Sequence, residues 1–315
     1  MYVQMIKMRD GVVGQPSKIV LSGASGMLGT ALRQKLAASG ASVVQLVRGA
    51  PRQGDQLGWD PSATRAIADT SLLEGSVAAV HLSGANVAAH RWTAAYRHEM
   101  RKSRVDSTRA LAGILAGLRH PPQTLVVASA VGIYGDRGEQ VLDEASAPGE
   151  GFLAQLCRGW EEAARLAAEA GIRVVHARFG VVVGRGPGAI EKMLPVFRLG
   201  LGGRLGSGRQ WMSWVSLEDT VAALLFALET RSLAGPVNVA APNAVRNAEF
   251  TVALARQLHR PAVLPVPVFA LRLAFGQMAD EALLASIRVV PSKLRGAGFE
   301  FAHPTVDQAL AAALG

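Results

Sequence analysis

Residues 19–29 read Ile-Val-Leu-Ser-Gly-Ala-Ser-Gly-Met-Leu-Gly, and they constrain the fold more than any other stretch of this 315-residue chain. An apolar run leads into three glycines, Gly23, Gly26 and Gly29, after which apolar residues recur at helical spacing. The pattern predicts a strand, a tight turn and a helix. Glycine is needed where the backbone takes unusual dihedral angles or where a ligand comes too close for a Cβ atom.

A helix that starts at this turn directs free N–H groups and a partial positive charge toward the turn, which suits a bound anion. A second strand-like run, Ser42–Val47, follows the predicted helix. This strand–turn–helix–strand order is typical of proteins that bind the pyrophosphate of a dinucleotide. The sequence therefore predicts cofactor contacts at Gly23, Ser25, Gly26, Met27, Leu28 and Gly29.

Arg48 stands directly after the second predicted strand, 19 residues beyond Gly29. In nicotinamide-binding folds an acidic residue about 20 residues past the glycines bonds the ribose 2′-hydroxyl, whereas arginine accommodates a 2′-phosphate. No carboxylate lies between Val43 and Gln53, and Arg52 adds a second cation. The sequence favours NADP(H) over NAD(H), with the alternative that Arg48 is an ordinary surface charge.

Strand-like runs alternate with helical patterns along the following residues. Such alternation predicts an α/β protein with right-handed crossovers and a parallel sheet covered on both faces, a Rossmann-type doubly wound sheet. The predicted strands are Val77–Leu82, Leu125–Ser129, Arg173–Arg178 and Pro236–Ala240. The predicted helices are Thr93–Leu118, Phe152–Ala170, Thr220–Leu228 with Asp219 as its cap, and Ala248–Leu258 with Asn247 as its cap.

Three units of the chain are expected. Residues 1–17 form a flexible tail without a secretory signal, residues 18–240 form the dinucleotide-binding domain, and residues 241–315 form a small, mostly helical lobe that binds substrate. The stretch Gly180–Gly208 is so rich in glycine that it predicts loop, and it contributes to a glycine-rich insertion at 184–214.

Composition excludes several classes of protein. No apolar run approaches the roughly 18 residues that a membrane span needs, so we expect no membrane partner. Cys157 is the single cysteine, so no internal disulfide can form and a reducing, cytoplasmic compartment is expected. The seven histidines are scattered without the spacing of a metal site, so no metal is expected.

A net charge of +9 raises the question of a nucleic-acid partner. The densest basic stretch, Arg91–Arg109, places Arg97, Arg101 and Arg104 on one helical face but contains two acidic residues. We interpret this face as solvated, and nucleic-acid binding is not favoured.

With these pieces in place, the chain resembles the extended short-chain dehydrogenase/reductase superfamily of nucleotide-sugar epimerases and dehydratases. Within it, the chain is similar to an atypical epimerase family with a characteristic small C-terminal domain. The resemblance covers nearly all of the chain beyond residue 17. It is carried, in the family's order, by Ser22–Gly29, Trp59–Pro61, His81–Asn86, Arg91–Thr93, Ser129–Gly135, Leu156–Glu161, Lys192–Pro195, Gly206–Trp214 and Pro265–Pro267.

The resemblance implies cofactor contacts at the glycine turn, at Arg48, at the end of the Ser129 strand and at the backbone of Leu82, Ser83, Gly84 and Ala85. It also implies a Tyr-x-x-x-Lys pair, in which the lysine lowers the tyrosine pKa for proton transfer. This chain lacks the pair. Four residues beyond Tyr2, Tyr96 and Tyr134 stand Ile6, Met100 and Gly138, and Leu153 and Cys157 occupy the matching spacing on the helix before Glu161.

Catalytic and substrate-binding candidates follow from the same resemblance. Counting back from Tyr134 puts Ala130, or with one extra residue Ser129, at the catalytic serine position, and Tyr134 is either an acid or a structural residue. The candidates for the substrate pocket are Asn86, Trp92, Trp211 and Trp214. The last two tryptophans are equally consistent with core anchors.

Two functions are consistent with these features. The first is an NADP(H)-dependent oxidoreductase or epimerase acting on a small polar substrate such as a nucleotide sugar. The second is a non-catalytic NADP(H)-binding protein that senses redox state or regulates a protein partner, since some members of the family carry names connected with cell or plastid division.

Overall fold

The computed structural model describes residues 17–315, so the predicted tail lies almost wholly outside the described residues. The strands are β1 (Lys18–Ser22), β2 (Ser42–Val47), β3 (Gln56–Gly58), β4 (Ala78–His81), β5 (Thr124–Ala130), β6 (Val141–Leu142), β7 (Arg173–Phe179), β8 (Val181–Val183), β9 (Trp211–Met212), β10 (Trp214–Ser216), β11 (Gly235–Val239), β12 (Val245–Arg246) and β13 (Arg288–Val289).

The helices are α1 (Met27–Ala38), α2 (Ala94–Arg101), α3 (Ser107–Ala116), α4 (Phe152–Glu162), α5 (Arg165–Glu169), α6 (Ala189–Arg198), α7 (Leu217–Glu229), α8 (Asn247–Gln257), α9 (Val268–Phe275), α10 (Ser292–Gly296) and α11 (Val306–Leu314). Short 3₁₀ turns cover Ser71–Leu73 and Val131–Tyr134, and π turns cover Lys102–Asp106 and Ala279–Leu283.

Seven parallel strands form the central sheet in the order β11-β7-β5-β4-β1-β2-β3. The strand order reverses between β1 and β4, and ligands of doubly wound sheets bind at the carboxyl ends of the strands beside such a switch point. The glycine turn after β1 and the loop after β4 meet there. The predicted Rossmann-type α/β sheet is confirmed.

Each face of the sheet carries its own core. Leu32 of α1 and Leu224 of α7 pack on one face with Leu21 and Val80 of the strands. On the other face, residues of α2, α3, α4 and α5 pack around Val127, and they include Met100, Leu111, Trp160 and Ala167. The β4 and β5 strands are therefore apolar on both sides, as buried parallel strands are.

The C-terminal helices pack on the end of the domain that carries α6. Phe250 of α8 and Leu310 of α11 share a cluster with Phe197 of α6 and the fully buried Trp214 of β10. This cluster joins side chains from both sides of residue 240. The division of the chain at that residue stays a prediction.

Four expectations about local structure were wrong. The stretch Gly180–Gly208 contains β8 and α6, because its glycines cluster at turns that flank both elements. The helix expected over Phe152–Ala170 is divided into α4 and α5, with no proline or glycine to signal the break.

The two helix caps also differ from expectation. Ser216, not Asp219, caps α7, and its Oγ accepts from the Asp219 N–H at 2.9 Å. The Asp219 carboxylate instead accepts from the backbone N–H of Ala302 at 2.7 Å, which fastens the C-terminal segment. Asn247 lies inside α8, where its Oδ1 accepts from Leu205 N–H at 2.8 Å. The side chains of Asp219 and Asn247 therefore make tertiary hydrogen bonds instead of capping the helices.

Candidate functional site

The three glycines of the turn after β1 are required for different reasons. Gly23 has φ +72°, and a Cβ there would lie 2.8 Å from the carbonyl carbon of Leu82. A Cβ on Gly29 would lie 2.1 Å from the carbonyl oxygen of Gly23. A Cβ on Gly26 would meet only that oxygen, at 3.5 Å. Backbone packing thus explains Gly23 and Gly29, whereas Gly26 is exposed and faces open space.

The N-terminus of α1 is free to bind an anion. Gly26 is its cap residue, no side chain caps the helix, and the first turn holds no acidic residue. The backbone N–H groups of the first turn and the helix dipole are therefore uncompensated, which is the arrangement that binds phosphate. The turn fits the pyrophosphate of a dinucleotide.

A second glycine-containing loop lies beside this turn. Cβ atoms on Gly186 and Gly188 would lie 3.7 and 3.4 Å from the side chain of Met27. The preceding Arg185 is exposed at the same place. The glycine content of this stretch predicted loop without a functional role, whereas an exposed arginine beside two glycines is a sequence pattern suited to an anion.

Arg48 directly follows β2, whose carboxyl end pairs with the end of β1 at Ser22 and Leu46. Its side chain is exposed, as is that of Arg52. Neither guanidinium pairs with a carboxylate within residues 17–315. Arg48 therefore lies at the correct strand end with its donors available, as recognition of a 2′-phosphate requires.

His81 closes β4 in a fully buried position. Its Nδ1 lies 2.5 Å from Ser22 Oγ and its Nε2 lies 3.1 Å from Ser107 Oγ. Because Ser107 Oγ donates to the carbonyl oxygen of Ser103 at 2.6 Å, Nε2 carries the imidazole proton and Nδ1 accepts from Ser22. Burial lowers the pKa of His81 to about 4, so the ring is a neutral bridge between two strands and α3.

The loop after β4 is held by side chains from the α2–α3 region. The Ala85 N–H donates to Ser103 Oγ at 3.0 Å, Arg104 Nη2 donates to the Ala85 carbonyl oxygen at 2.9 Å, and the Tyr96 hydroxyl donates to the carbonyl oxygen of Asn86. The loop backbone expected to contact the cofactor is therefore fixed before any ligand binds.

Arg104 was expected on a solvated face and is instead buried, with 7% of its surface exposed. Its guanidinium carbon lies 3.1 Å from the position of a Cβ on Gly84 and 5.0 Å from the ring centre of Trp160. Burial lowers its pKa, and no carboxylate pairs with it in the described part of the chain. The π turn Lys102–Asp106 shifts the helix phase at this point, which sequence periodicity could not show.

Ser129 and Tyr134 belong to one buried network with an ion pair at its centre. The Ser129 hydroxyl donates to Glu161 Oε1 at 2.7 Å. Arg178 Nε and Nη2 donate to the two Glu161 oxygens, each at 2.8 Å. Arg178 Nη1 donates to the Tyr134 hydroxyl at 2.9 Å, which itself donates to Asn238 Oδ1 at 2.7 Å.

The network satisfies its members internally. Tyr134 is fully buried, and burial raises the pKa of its phenol. Glu161 and Arg178 were not candidates from the sequence, because they are separated along the chain and become partners only when α4 packs across β7. A bidentate pair of this kind is strongly oriented as well as charged.

The positions that match the missing Tyr-x-x-x-Lys pair are apolar in character. Leu153 packs against Gly132, where a Cβ would lie 3.4 Å from its Cδ1. Cys157 is buried, and burial, followed by the Glu161 charge, raises the pKa of its thiol to about 12. Neither side chain is equipped to exchange a proton near neutral pH.

Two tryptophans among the pocket candidates are buried. Trp92 donates its indole N–H to the Val87 carbonyl oxygen at 2.9 Å. Trp214 is completely buried and donates to the Asn243 carbonyl oxygen at 3.0 Å. The geometry of Trp214 favours the core anchor among the two alternatives.

The other two pocket candidates present surface. Asn86 is exposed, with its Oδ1 accepting from Ala88 N–H at 2.9 Å. Trp211 is half-buried between the guanidinium groups of Arg246 and Arg288, each 4.2 Å from its ring centre. The indole N–H donates to Glu139 Oε2 at 2.9 Å, and Glu139 also pairs with Arg246 at 2.8 Å, so the ring faces and the N–H of Trp211 have partners within the protein.

A cavity of about 550 Å³ is bounded by residues of α4, α5, β7 and β11. It is lined by both members of the central ion pair and by Arg158, Glu162 and His176, among others. His176 Nδ1 is buried without a hydrogen-bond partner among the described residues.

Within residues 17–315 there is no group of three or more His, Cys, Asp or Glu side chains that could hold a metal ion. Nor does that part of the chain contain a helix with the length and apolar character to cross a bilayer.

The sheet, the glycine turn and the open helix N-terminus define a dinucleotide-binding α/β protein. The model of the NAD dependent epimerase/dehydratase family matches residues 19–240, and a model described as a domain of unknown function (DUF1731) matches residues 266–313. The chain belongs to the NAD-dependent epimerase/dehydratase family, in its atypical short-chain dehydrogenase/reductase branch.

Relatives in the same family cover almost the whole chain. An epimerase family protein of Mycobacterium bovis is 46% identical over 292 residues, which are 93% of this chain and 96% of the relative. The crystal structure of human epimerase family protein SDR39U1 (isoform 2) with NADPH matches with a TM-score of 0.86 and 34% identity, over 94% of this chain and 99% of that chain.

A nucleoside-diphosphate sugar epimerase from Corynebacterium glutamicum matches with a TM-score of 0.77 and 34% identity, over 96% of this chain and 59% of that chain. MoeE5 in complex with UDP-glucose and NAD, at 21% identity, shares the fold, with a TM-score of 0.71.

Proposed function

We propose that this protein binds NADP(H) and transfers hydride between the cofactor and a small polar substrate, with nucleotide sugars as the leading class. The observation that carries the proposal is the uncapped N-terminus of α1 beside Arg48, which stands at the neighbouring strand end without a carboxylate partner among residues 17–315. The NADPH in the human SDR39U1 crystal and the name of the Corynebacterium relative support it.

In this proposal the N–H groups that follow Gly26 bind the pyrophosphate, and Arg48 binds the 2′-phosphate. The backbone of Leu82–Ala85 would contact the nucleoside part of the cofactor. Arg104 holds this loop in place through its hydrogen bond to the Ala85 carbonyl oxygen. Arg185, in the glycine-containing loop beside the turn, adds a cation. NADPH, when bound, supplies the hydride.

The proton is assigned to Ser129 and Glu161. In the oxidative direction a substrate hydroxyl gives its proton to Ser129 Oγ while the Ser129 proton passes to Glu161 Oε1, 2.7 Å away. In the reductive direction the two transfers run backwards. Arg178 orients both carboxylate oxygens, and the enclosed Tyr134 acts only through Arg178, as a positioning residue.

Glu161 also needs a route for its proton to solvent. The cavity is lined by Glu161 and Arg178 but not by Ser129. In this proposal Glu161 connects Ser129 to the cavity, and the proton can leave without passing through the substrate site. Asn86 and Trp211 are proposed to contact the substrate.

Cofactor binding is tested by titrating the protein with NADPH and with NADH. Arg48→Gln removes a hydrogen-bonded charge pair, worth about 1.5–3 kcal/mol, so the Kd for NADPH should rise about tenfold or more. The Kd for NADH should change less than about twofold. Arg33→Gln, an exposed arginine on α1, is the matched control. An equal loss for both cofactors would contradict the assignment of the 2′-phosphate.

Turnover is tested with NADPH deuterated at C4 and a panel of carbonyl compounds that includes nucleotide sugars. Deuterium should appear in a product, and Ser129→Ala should lower kcat at least about tenfold with KM and NADPH affinity retained. If NADPH binds tightly but no deuterium is transferred or exchanged, the non-catalytic alternative is the better account.

A further inference from the structure

One surface of the protein exposes large apolar side chains over two segments. Its members are Val196, Leu199, Leu201, Val263, Leu264, Phe269 and Leu273. Leu199 is 73% exposed, Val263 79% and Leu273 75%, so most of each side chain faces solvent. We call these residues the apolar surface.

The two segments lie side by side. Val266 N–H donates to the Arg204 carbonyl oxygen at 2.8 Å, and Arg260 Nε donates to the Arg198 carbonyl oxygen at 3.0 Å. A Cβ on Gly203 would overlap the Leu264 carbonyl oxygen, so the two backbones are in direct contact. The side chains around residues 199–201 and 263–264 therefore form one patch.

Helix α9 extends this patch. It begins directly after Pro267, and Phe269 and Leu273 lie one turn apart on the face opposite the buried Leu271. Contiguous exposed apolar surface of this kind marks an interaction site rather than an ordinary protein exterior.

The same two segments carry only positive charge. No Asp or Glu occurs from Lys192 to Leu217 or from Phe250 to Ala279. Basic residues in these stretches are Lys192, Arg198, Arg204, Arg209, Arg256, Arg260 and Arg272. Arg256 pairs with Asp307 and Arg272 with Asp280.

The charge that remains lies next to the apolar side chains. Arg198, Arg204 and Arg260 are exposed and have no carboxylate partner among residues 17–315. All three lie on the paired segments themselves, so they border the apolar surface directly. This is a combination of apolar centre and basic rim.

We propose that the apolar surface docks on an anionic lipid bilayer. Aliphatic and aromatic side chains enter the boundary of the headgroups and acyl chains, while the arginines pair with anionic headgroups. A second copy of the chain would bring like charges together, and a nucleic acid offers no apolar surface for aliphatic side chains. The bilayer satisfies both parts of the surface.

Docking would bring the loop that carries Asn86, a proposed substrate contact, close to the lipid. Arg91 Nη1 donates to the Leu273 carbonyl oxygen at 3.1 Å, and the Lys192 amine donates to the Ala88 carbonyl oxygen. The loop that carries Asn86 thus borders the apolar surface. The expectation of no membrane partner rested on the lack of a spanning run, and surface docking needs no span.

Vesicle co-sedimentation of the full chain tests the proposal. The protein should pellet with phosphatidylcholine vesicles that contain phosphatidylglycerol, about tenfold more than with phosphatidylcholine alone, and added salt should release it. Phe269→Ser/Leu273→Ser and Arg198→Gln/Arg204→Gln/Arg260→Gln should each lower the bound fraction about tenfold.

Matched controls remove equivalent groups from other surfaces. Leu72→Ser/Leu166→Ser deletes two exposed apolar side chains, and Arg33→Gln/Arg65→Gln/Arg119→Gln removes the same net charge. Both should pellet like the wild type. Thermal melts and NADPH titrations confirm that every variant is folded.

Three results would overturn the proposal. The first is equal sedimentation of the apolar-surface variants and their controls. The second is a concentration-dependent dimer that Phe269→Ser/Leu273→Ser abolishes in the absence of vesicles, which would assign the surface to a second copy. The third is no vesicle binding together with binding to duplex DNA that the three arginine substitutions remove.

Discussion

Replacement of Glu161 by glutamine is the most informative perturbation of the interior. In the native protein its carboxylate accepts from Ser129 and twice from Arg178, and the side chains of Glu161 and Arg178 are 13% and 7% exposed. Glutamine keeps the shape but leaves the Arg178 guanidinium as an uncompensated buried charge. Breaking a pair of this kind costs about 3–5 kcal/mol.

The cost is read from thermal unfolding. For a chain of this size 1 kcal/mol shifts Tm by about 2–4 °C, so Glu161→Gln should lower Tm by roughly 6–20 °C. Glu169→Gln, which breaks the exposed pair with Arg165, is the control and should change Tm by less than about 3 °C. The double variant Glu161→Leu/Arg178→Met should be more stable than Glu161→Gln, because it leaves no unpaired charge.

Two outcomes would refute this reasoning. If Glu161→Gln and Glu169→Gln have equal Tm values, the central pair contributes no more than a surface pair. If the stability losses of Glu161→Leu and Arg178→Met add fully in the double variant, the two side chains do not interact in the folded protein.

The remaining predictions concern the glycine turn, Arg104 and His81. Gly26→Ala should keep Tm within about 2 °C of the wild-type value but weaken NADPH binding. Gly29→Ala should lower Tm itself, because its Cβ would lie 2.1 Å from a carbonyl oxygen. Equal Tm losses of the two variants in thermal melts would contradict this. Arg104→Met should weaken the binding of both NADP⁺ and NADPH, since the loop expected to contact the cofactor loses its hydrogen bond at the Ala85 carbonyl oxygen; Arg104→Lys should retain part of the affinity, and unchanged Kd values in Arg104→Met would contradict this role. The pKa of His81 is lowered to about 4 from 6.5, so between these pH values protons bind the unfolded chain more readily than the folded protein. The contribution of His81 to the free energy of unfolding, complete above pH 6.5, should therefore fall by up to about 3 kcal/mol as the pH drops from 6.5 to 4. Urea titrations at several pH values should show that the free energy of unfolding of His81→Asn depends less steeply on pH in this window.

The elements that sequence predicted well are those whose signal is local. β2 has the bounds expected from its apolar run, Ser42–Val47, and the glycine turn lies where the glycines placed it. These signals are strong because a buried parallel strand needs continuous apolar residues and a tight turn needs glycine. The prediction of loop over Gly180–Gly208 was wrong, because the glycines that suggested it lie at the ends of α6 and not within the helix.

The candidate site was predictable only in its cofactor half. The glycine turn and Arg48 come from a contiguous motif of strand, turn, helix and strand. Glu161 ends the Leu156–Glu161 motif, but nothing in the sequence pairs it with Arg178, because that pairing depends on how α4 packs on the sheet. Ser129 was found by resemblance, yet its hydrogen bond to Glu161 could be found only in three dimensions.

The π turn at Lys102–Asp106 makes the position of Arg104 depend on a single residue. A wider turn holds one residue more than an α-helical turn, and each residue of an α-helix accounts for about 100° of rotation. A chain shortened by one residue here would run on as a continuous helix, and Arg104 would swing from beneath Gly84 toward solvent. The length of this turn, together with the residue at position 104, therefore determines whether a cation lies beneath the Leu82–Ala85 loop.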